Sequence, residues 1–146
     1  MLPDMPQEIC SMGVLEMNLE DQKWLYICGG IVPAVTGGSS SMVMSKIYRL
    51  NLNDPTVTQW EDIGLSLPYE AGEVSVFQFA KDKIMILGGW NKGGIHRTTI
   101  IQVQEGKHMI YETQKPIILR DHDFFTGSET FNKSEDGNIW FTGVSV

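Results

Sequence analysis

The sequence is short of several things, and each shortage excludes a class of protein. It has two cysteines, Cys10 and Cys28, too few for a disulfide scaffold. Its 11 basic residues face 18 acidic ones, the net charge is −7, and no run of Lys or Arg occurs. The isoelectric point is about 4.8. Nucleic-acid binding needs a basic footprint, so that class is set aside. No secretory signal is visible, because MLPDMPQEIC places acids and prolines where a signal needs a basic start and an apolar run. Reduced thiols and a cytoplasmic location are therefore expected. Residues 24–45 carry no charge over 22 positions, enough to cross a bilayer. Gly29, Gly30, Pro33, Gly37, Gly38 and three successive serines interrupt them. The stretch reads as a strand and a long loop, and no membrane span is expected. No 12-residue window shows a helical period without Gly or Pro inside it.

What is present is alternation. The 146 residues are 42% hydrophobic and 20% charged, one domain's worth with material for a core. Strands are predicted at 14–19, 24–28, 46–52 and 58–64, with turns at NLEDQK and NDPT. In the third of these, Ile47 and Arg49 share one face and Tyr48, Leu50 and Leu52 the other. The cycle restarts with strands at 73–80, 83–87, 98–104 and 108–113. A third cycle offers 124–131 and 138–144. The runs WLYIC and KIMIL are apolar on both faces, which predicts sheets stacked face to face. Placing the first turn near Asp21 and Gln22 sets Cys28 opposite about Leu15 and leaves Cys10 out of disulfide reach.

Both runs end in a glycine pair, Gly29-Gly30 and Gly88-Gly89, 59 positions apart, and Gly143 follows Gly88 by 55. Glycine permits a positive φ and close backbone approach where crowded strands end. With Tyr48 in a third strand and Trp60 in a fourth, the chain resembles kelch repeats. In the second cycle an aliphatic such as Ile101 stands near the Tyr place and Tyr111 near the Trp place. The third stops at IWFTGV, with Trp140 and the single Gly143. Each cycle opens with a proline, Pro6, Pro68 or Pro116.

The resemblance implies an all-β fold of four-stranded antiparallel propeller blades. Blade one spans about 6–66, blade two about 67–114, and a partial blade three about 115–146. Two and a half blades do not close a ring. The expectation is a segment of a longer kelch protein, or a small chain completed by another subunit.

Candidate chemistry is thin. GGWNKGG has Gly88 and Gly93 at phosphate-loop spacing but no following Lys-Ser/Thr, so no nucleotide is expected. SEDGNIW falls one residue short of the box of sialidase-like propellers and reads as an Asp-Gly hairpin turn. Asp121, His122 and Asp123 lack further metal ligands nearby in sequence, and Arg120 and His122 resemble the kelch loop that enters a first strand. Asn132-Lys133-Ser134 matches a glycosylation sequon, a motif common by chance. Neither cysteine has a histidine nearby for nucleophilic catalysis, and the Tyr and His ligands of copper-oxidase kelch propellers cannot be assembled. No cofactor, metal or catalytic residue is assigned, and an enzyme is not expected.

The expected function is protein binding, as scaffold or adaptor, through loops on a rigid frame. The loops following the doublets supply the candidates: Ile31, Val35 and Met42 in the first, Trp90, Lys92, His96 and Arg97 in the second. The competing readings are a propeller enzyme or lectin with its site at the channel mouth, and a structural subunit of a larger complex.

Overall fold

The computed structural model describes residues 2–34, 41–89, 95–96, 98–113, 119–120, 123–124, 131–133, 139–141 and 144–145. Among them there is no helix, and every strand pairing is antiparallel.

The first sheet begins with β1 (Gly13–Leu19) and β2 (Gln22–Cys28), joined at Glu20-Asp21. Both turn residues have positive φ, 51° and 61°, so the two-residue turn follows the right-handed twist of its strands. Cys28 is thereby paired with Gly13, two residues from the expected Leu15. The difference comes from the turn: Asp21 tolerates the left-handed region and sits inside the loop, while Gln22 belongs to the strand. After a small hairpin of β3 (Ile31–Val32) and β4 (Met42–Val43), the chain returns as β5 (Lys46–Asn51) and β6 (Glu61–Ser66). The order is β1-β2-β5-β6. The expected fourth strand, 58–64, starts late. The Asp54 carboxylate accepts from the Thr56 amide at 2.8 Å and its hydroxyl at 2.6 Å, prolonging the turn. Trp60 is left just ahead of β6.

The second sheet repeats the plan with β7 (Ser75–Ala80), β8 (Lys83–Leu87), β10 (Thr99–Gln104) and β11 (Lys107–Glu112), after the short β9 (Ile95–His96). Its order is β7-β8-β10-β11. Beyond it, β12 (Leu119–Arg120) pairs with β9, β13 (Asp123–Phe124) with β16 (Val144–Ser145), and β14 (Phe131–Lys133) with β15 (Ile139–Phe141). The predicted strands 124–131 and 138–144 thus meet near their ends. Residues 125–130 and 142–143 lie outside the described set.

The two sheets stack with β1 against β7 and β6 against β11, first strand on first and last on last. Along β1, Gly13, Met17 and Leu19 face inward while Val14, Glu16 and Asn18 face out. A Cβ on Gly13 would lie 2.3 Å from Val76 Cγ2, so glycine is what lets β7 approach. Sheet one contributes Met17, Leu19, Tyr26, Cys28 and Ile47 to the seam, and sheet two Val76, Ile84, Ile86, Ile101 and Val103. Each fully buried aliphatic side chain there contributes ~1.5–3 kcal/mol.

The outer face of sheet one is also covered, burying Ile27, Tyr48 and Leu50. Part of the cover is the N-terminal segment. The Trp60 indole donates to the Pro3 carbonyl at 3.2 Å, and the Gln7 amide to the Met44 sulfur at 3.0 Å. Leu2 and Pro3 close a hollow of about 350 Å³ over Leu50, Leu52 and Val57. The double-sided apolar run of β2 is explained by this arrangement.

Candidate functional site

The glycine doublets sit where each second strand ends. Gly29 and Gly30 have φ of 60° and 116°, and Gly88 and Gly89 have 64° and 111°. The same bend is made twice, in a region L side chains rarely enter. Each second glycine is also crowded by the loop entering its own sheet. A Cβ on Gly30 would lie 2.4 Å from Ile9 Cγ2 and 3.1 Å from the Cys10 carbonyl. One on Gly89 would meet Val74 Cγ1 at 2.7 Å, Ala71 Cβ at 2.8 Å and the Gly72 carbonyl at 3.0 Å. Gly29 faces the next entry loop, with the Ala71 carbonyl 2.2 Å from its absent Cβ.

Backbone bonds lock these corners. The Gly30 amide donates to Ala71 at 2.9 Å, the Ala71 amide to Met44 at 3.0 Å, and Cys10 and Ile31 exchange bonds of 2.9 and 2.8 Å. The hairpin of β3 and β4 projects from this corner. Ile31 turns inward, its side chain filling the space beside Gly72. Met42 is 63% exposed. Val35, Trp90, Lys92 and Arg97 lie outside the described residues, as does Gly143. His96 lies in β9 opposite Leu119, and Trp140 in β15 opposite Asn132.

Register locates the aromatic positions. Tyr48 pairs with Ile27, and its counterpart opposite Ile86 is Thr99, two residues before Ile101. Trp60 stands one step beyond the Arg49–Glu61 pair, beside Leu50. Ile101, at the place of Leu50, pairs with Ile110, so Ile110 holds the place of Trp60 and packs against the seam. Tyr111 is one step along, which turns it to the opposite face, and it is 40% exposed.

A polar chain crosses the seam between the sheets. Arg49 forms a two-pronged pair with Glu61, Nε to Oε2 at 2.7 Å and a terminal nitrogen to Oε1 at 3.0 Å. Its guanidinium carbon lies 4.1 Å from the centre of the Trp24 ring. The same guanidinium acts electrostatically on the Tyr26 hydroxyl. That hydroxyl lies 3.0 Å from His108 Nε2, on β11 of the other sheet. The two rings tilt at 59° with centroids 5.9 Å apart. Burial raises the Tyr26 phenol above its ordinary value, against a lowering pull from Arg49. Burial, helped by Arg49 and opposed by Glu61, holds the His108 imidazole below its ordinary 6.5. For Arg49 burial alone would favour loss of charge, but the interactions with Glu61 and Tyr26 outweigh it and the pKa rises.

This chain fastens sheet to sheet, with a guanidinium, a phenol and an imidazole in line. Among the described residues, no group of three or more His, Cys, Asp or Glu is placed to hold a metal ion. No described helix is long and apolar enough to cross a membrane. Cys28 is buried in the seam, where desolvation pushes its thiol up to about 12, and Cys10 is exposed; both are free. Sequence reasoning missed the polar chain. Its hint was Arg49 on the same face as Ile47, a charge where the alternation calls for a hydrophobe.

No model of a known family matches the chain, and no curated protein matches it either.

Proposed function

We propose that the stacked sheets are kelch-type propeller blades and that the chain is a protein-binding module, an adaptor or scaffold within a longer protein or a multi-subunit assembly. Several features support this reading. Two successive four-stranded meanders stack in register, each bent at a glycine doublet with matching φ. The paired short strands beyond residue 119 fit the first half of a third blade. Two free thiols fit a reducing compartment such as the cytoplasm.

The observation that carries the binding reading is Met42. It stands 63% exposed on a hairpin whose other strand is anchored through Ile31, so a flexible apolar side chain is presented from a fixed base. Methionine adapts to varied apolar partners. The test is affinity capture from native extract with wild type, Met42→Asp and Val14→Asp. A stoichiometric partner retained by Val14→Asp and lost by Met42→Asp is the expected result. A partner kept by Met42→Asp would move the surface elsewhere, and turnover of a small substrate without a partner would favour the enzyme class.

A further inference from the structure

The chain Glu61–Arg49–Tyr26–His108 runs from the last strand of one sheet to the last strand of the other, and protein binding at the doublet end makes no use of it. Its final link depends on a proton. A neutral imidazole protonated on Nδ1 offers Nε2 as an acceptor. The Tyr26 hydroxyl, under the influence of the Arg49 charge, has one proton to give, and the 3.0 Å contact supplies its acceptor. With a proton on Nε2, the ring becomes a donor at that atom. The hydroxyl proton then loses its acceptor, and two cations flank one phenol oxygen. The nearby carboxylate, Glu61, is already engaged by both prongs of Arg49.

We propose that this chain is a proton-operated latch: neutral His108 fastens the last strands of the two sheets together, and protonated His108 loosens them. Charged and titratable groups reach the imidazole from three elements of sheet one, Tyr26 on β2, Arg49 on β5 and Glu61 on β6. Within its own sheet His108 faces Val103 of β10, which does not titrate. Lys107 and Met109, its chain neighbours, alternate to the other face. The half-buried position removes much of the water that would otherwise solvate a new cation.

The direction follows from linkage. The folded imidazole lies below its ordinary value, so below that value the unfolded chain binds more protons. Stability is full above about pH 6.5 and is lost as pH falls through the folded value. Each unit of depression is a tenfold loss in the folding equilibrium constant once both forms are protonated.

The experiment has two arms on the whole chain. Proton NMR titration of the three histidines, assigned by triple resonance, should place the His108 midpoint below 6.5. Urea midpoints measured from about pH 7.5 to about pH 5 should fall for wild type across the His window and stay nearly level for His108→Gln, which keeps a neutral acceptor. A His108 midpoint at or above 6.5 overturns the proposal, as does an undiminished fall in His108→Gln. Should the variant not fold, the wild-type titration decides alone.

Discussion

The two four-stranded sheets follow one backbone plan and fill the seam between them with different chemistry. At the bend they agree to within about five degrees of φ. At the seam they do not. Sheet one offers Tyr26 and Arg49, with Glu61 and Trp24 beside them, and sheet two offers Ile84, Ile86, Ile101 and Val103. Equivalent register positions differ in setting as well: Val14 faces away from the seam and is 46% exposed, while Val76, at the same register place in sheet two, lies in the seam and is 5% exposed. The backbone rule is repeated because sterics at a left-handed bend admit few residues. The filler is free to vary because only the summed volume and the hydrogen bonds must close.

The largest expected effect tests the shared rule. Gly29→Val adds a β-branched side chain at φ 60° with the Ala71 carbonyl 2.2 Å from the new Cβ. It should cost more than ~4 kcal/mol and leave little folded protein by circular dichroism. Gly88→Val, at φ 64°, should also destabilise, because a β-branched side chain disfavours that region. Gly64→Ala is the control: φ is 73° but nothing lies within 4 Å, so about 1 kcal/mol is expected. Equal losses at Gly29 and Gly64 would show that conformation alone, and not crowding, governs the bend.

The next pair separates the two fillers. Ile101→Ala removes a fully buried aliphatic from sheet two and should cost ~2–5 kcal/mol. Tyr26→Phe keeps the ring and removes the hydroxyl from between Arg49 and His108, for about 1–2 kcal/mol in denaturant melts. If Tyr26→Phe proved neutral, the polar chain would contribute nothing to holding the seam.

Smaller still is the contrast at matched valines. Val76→Ala should cost about 2 kcal/mol, from two buried methyl groups and the space they leave. Val14→Ala should stay within ~0.5 kcal/mol. Similar values would mean that Val14 is packed as closely as Val76 rather than standing 46% exposed.

The least perturbing test is thiol labelling. Cys10 is exposed and should react promptly, whereas Cys28 should react only as the chain unfolds. Two fast thiols would show that the seam opens readily.

Much of this was legible in the sequence for a physical reason. Alternation and turn chemistry are local, so β8 lies where KIMIL predicts it and β5 differs by one residue. The doublets were readable because glycine at a bend is nearly obligatory. Register was less readable: one residue of difference in the first turn moved Cys28 from Leu15 to Gly13, and one step along β11 put Ile110, not Tyr111, in the seam. Trp60 was displaced by an Asp54 turn whose length composition does not set. The polar chain was not legible at all. Tyr26 and His108 are 82 residues apart, and their meeting depends on how two whole sheets stack.

The loop entering sheet two has a consequence for dissection. Ala71 closes the corner of sheet one, holding Gly30 and Met44, while Gly72 seats Ile31 and crowds Gly89. The stretch between the repeats is therefore no hinge or spacer. Cutting the gene between Ser66 and Ala71 would strip the first sheet of its cornerstone and leave Ile31 without Gly72 beside it, so the first half is not a free-standing module. The repeats are interlocked like overlapping tiles, and recombination, circular permutation or domain grafting should succeed at the Glu20-Asp21 or Glu105-Gly106 turns before it succeeds at the boundary that repeat counting suggests.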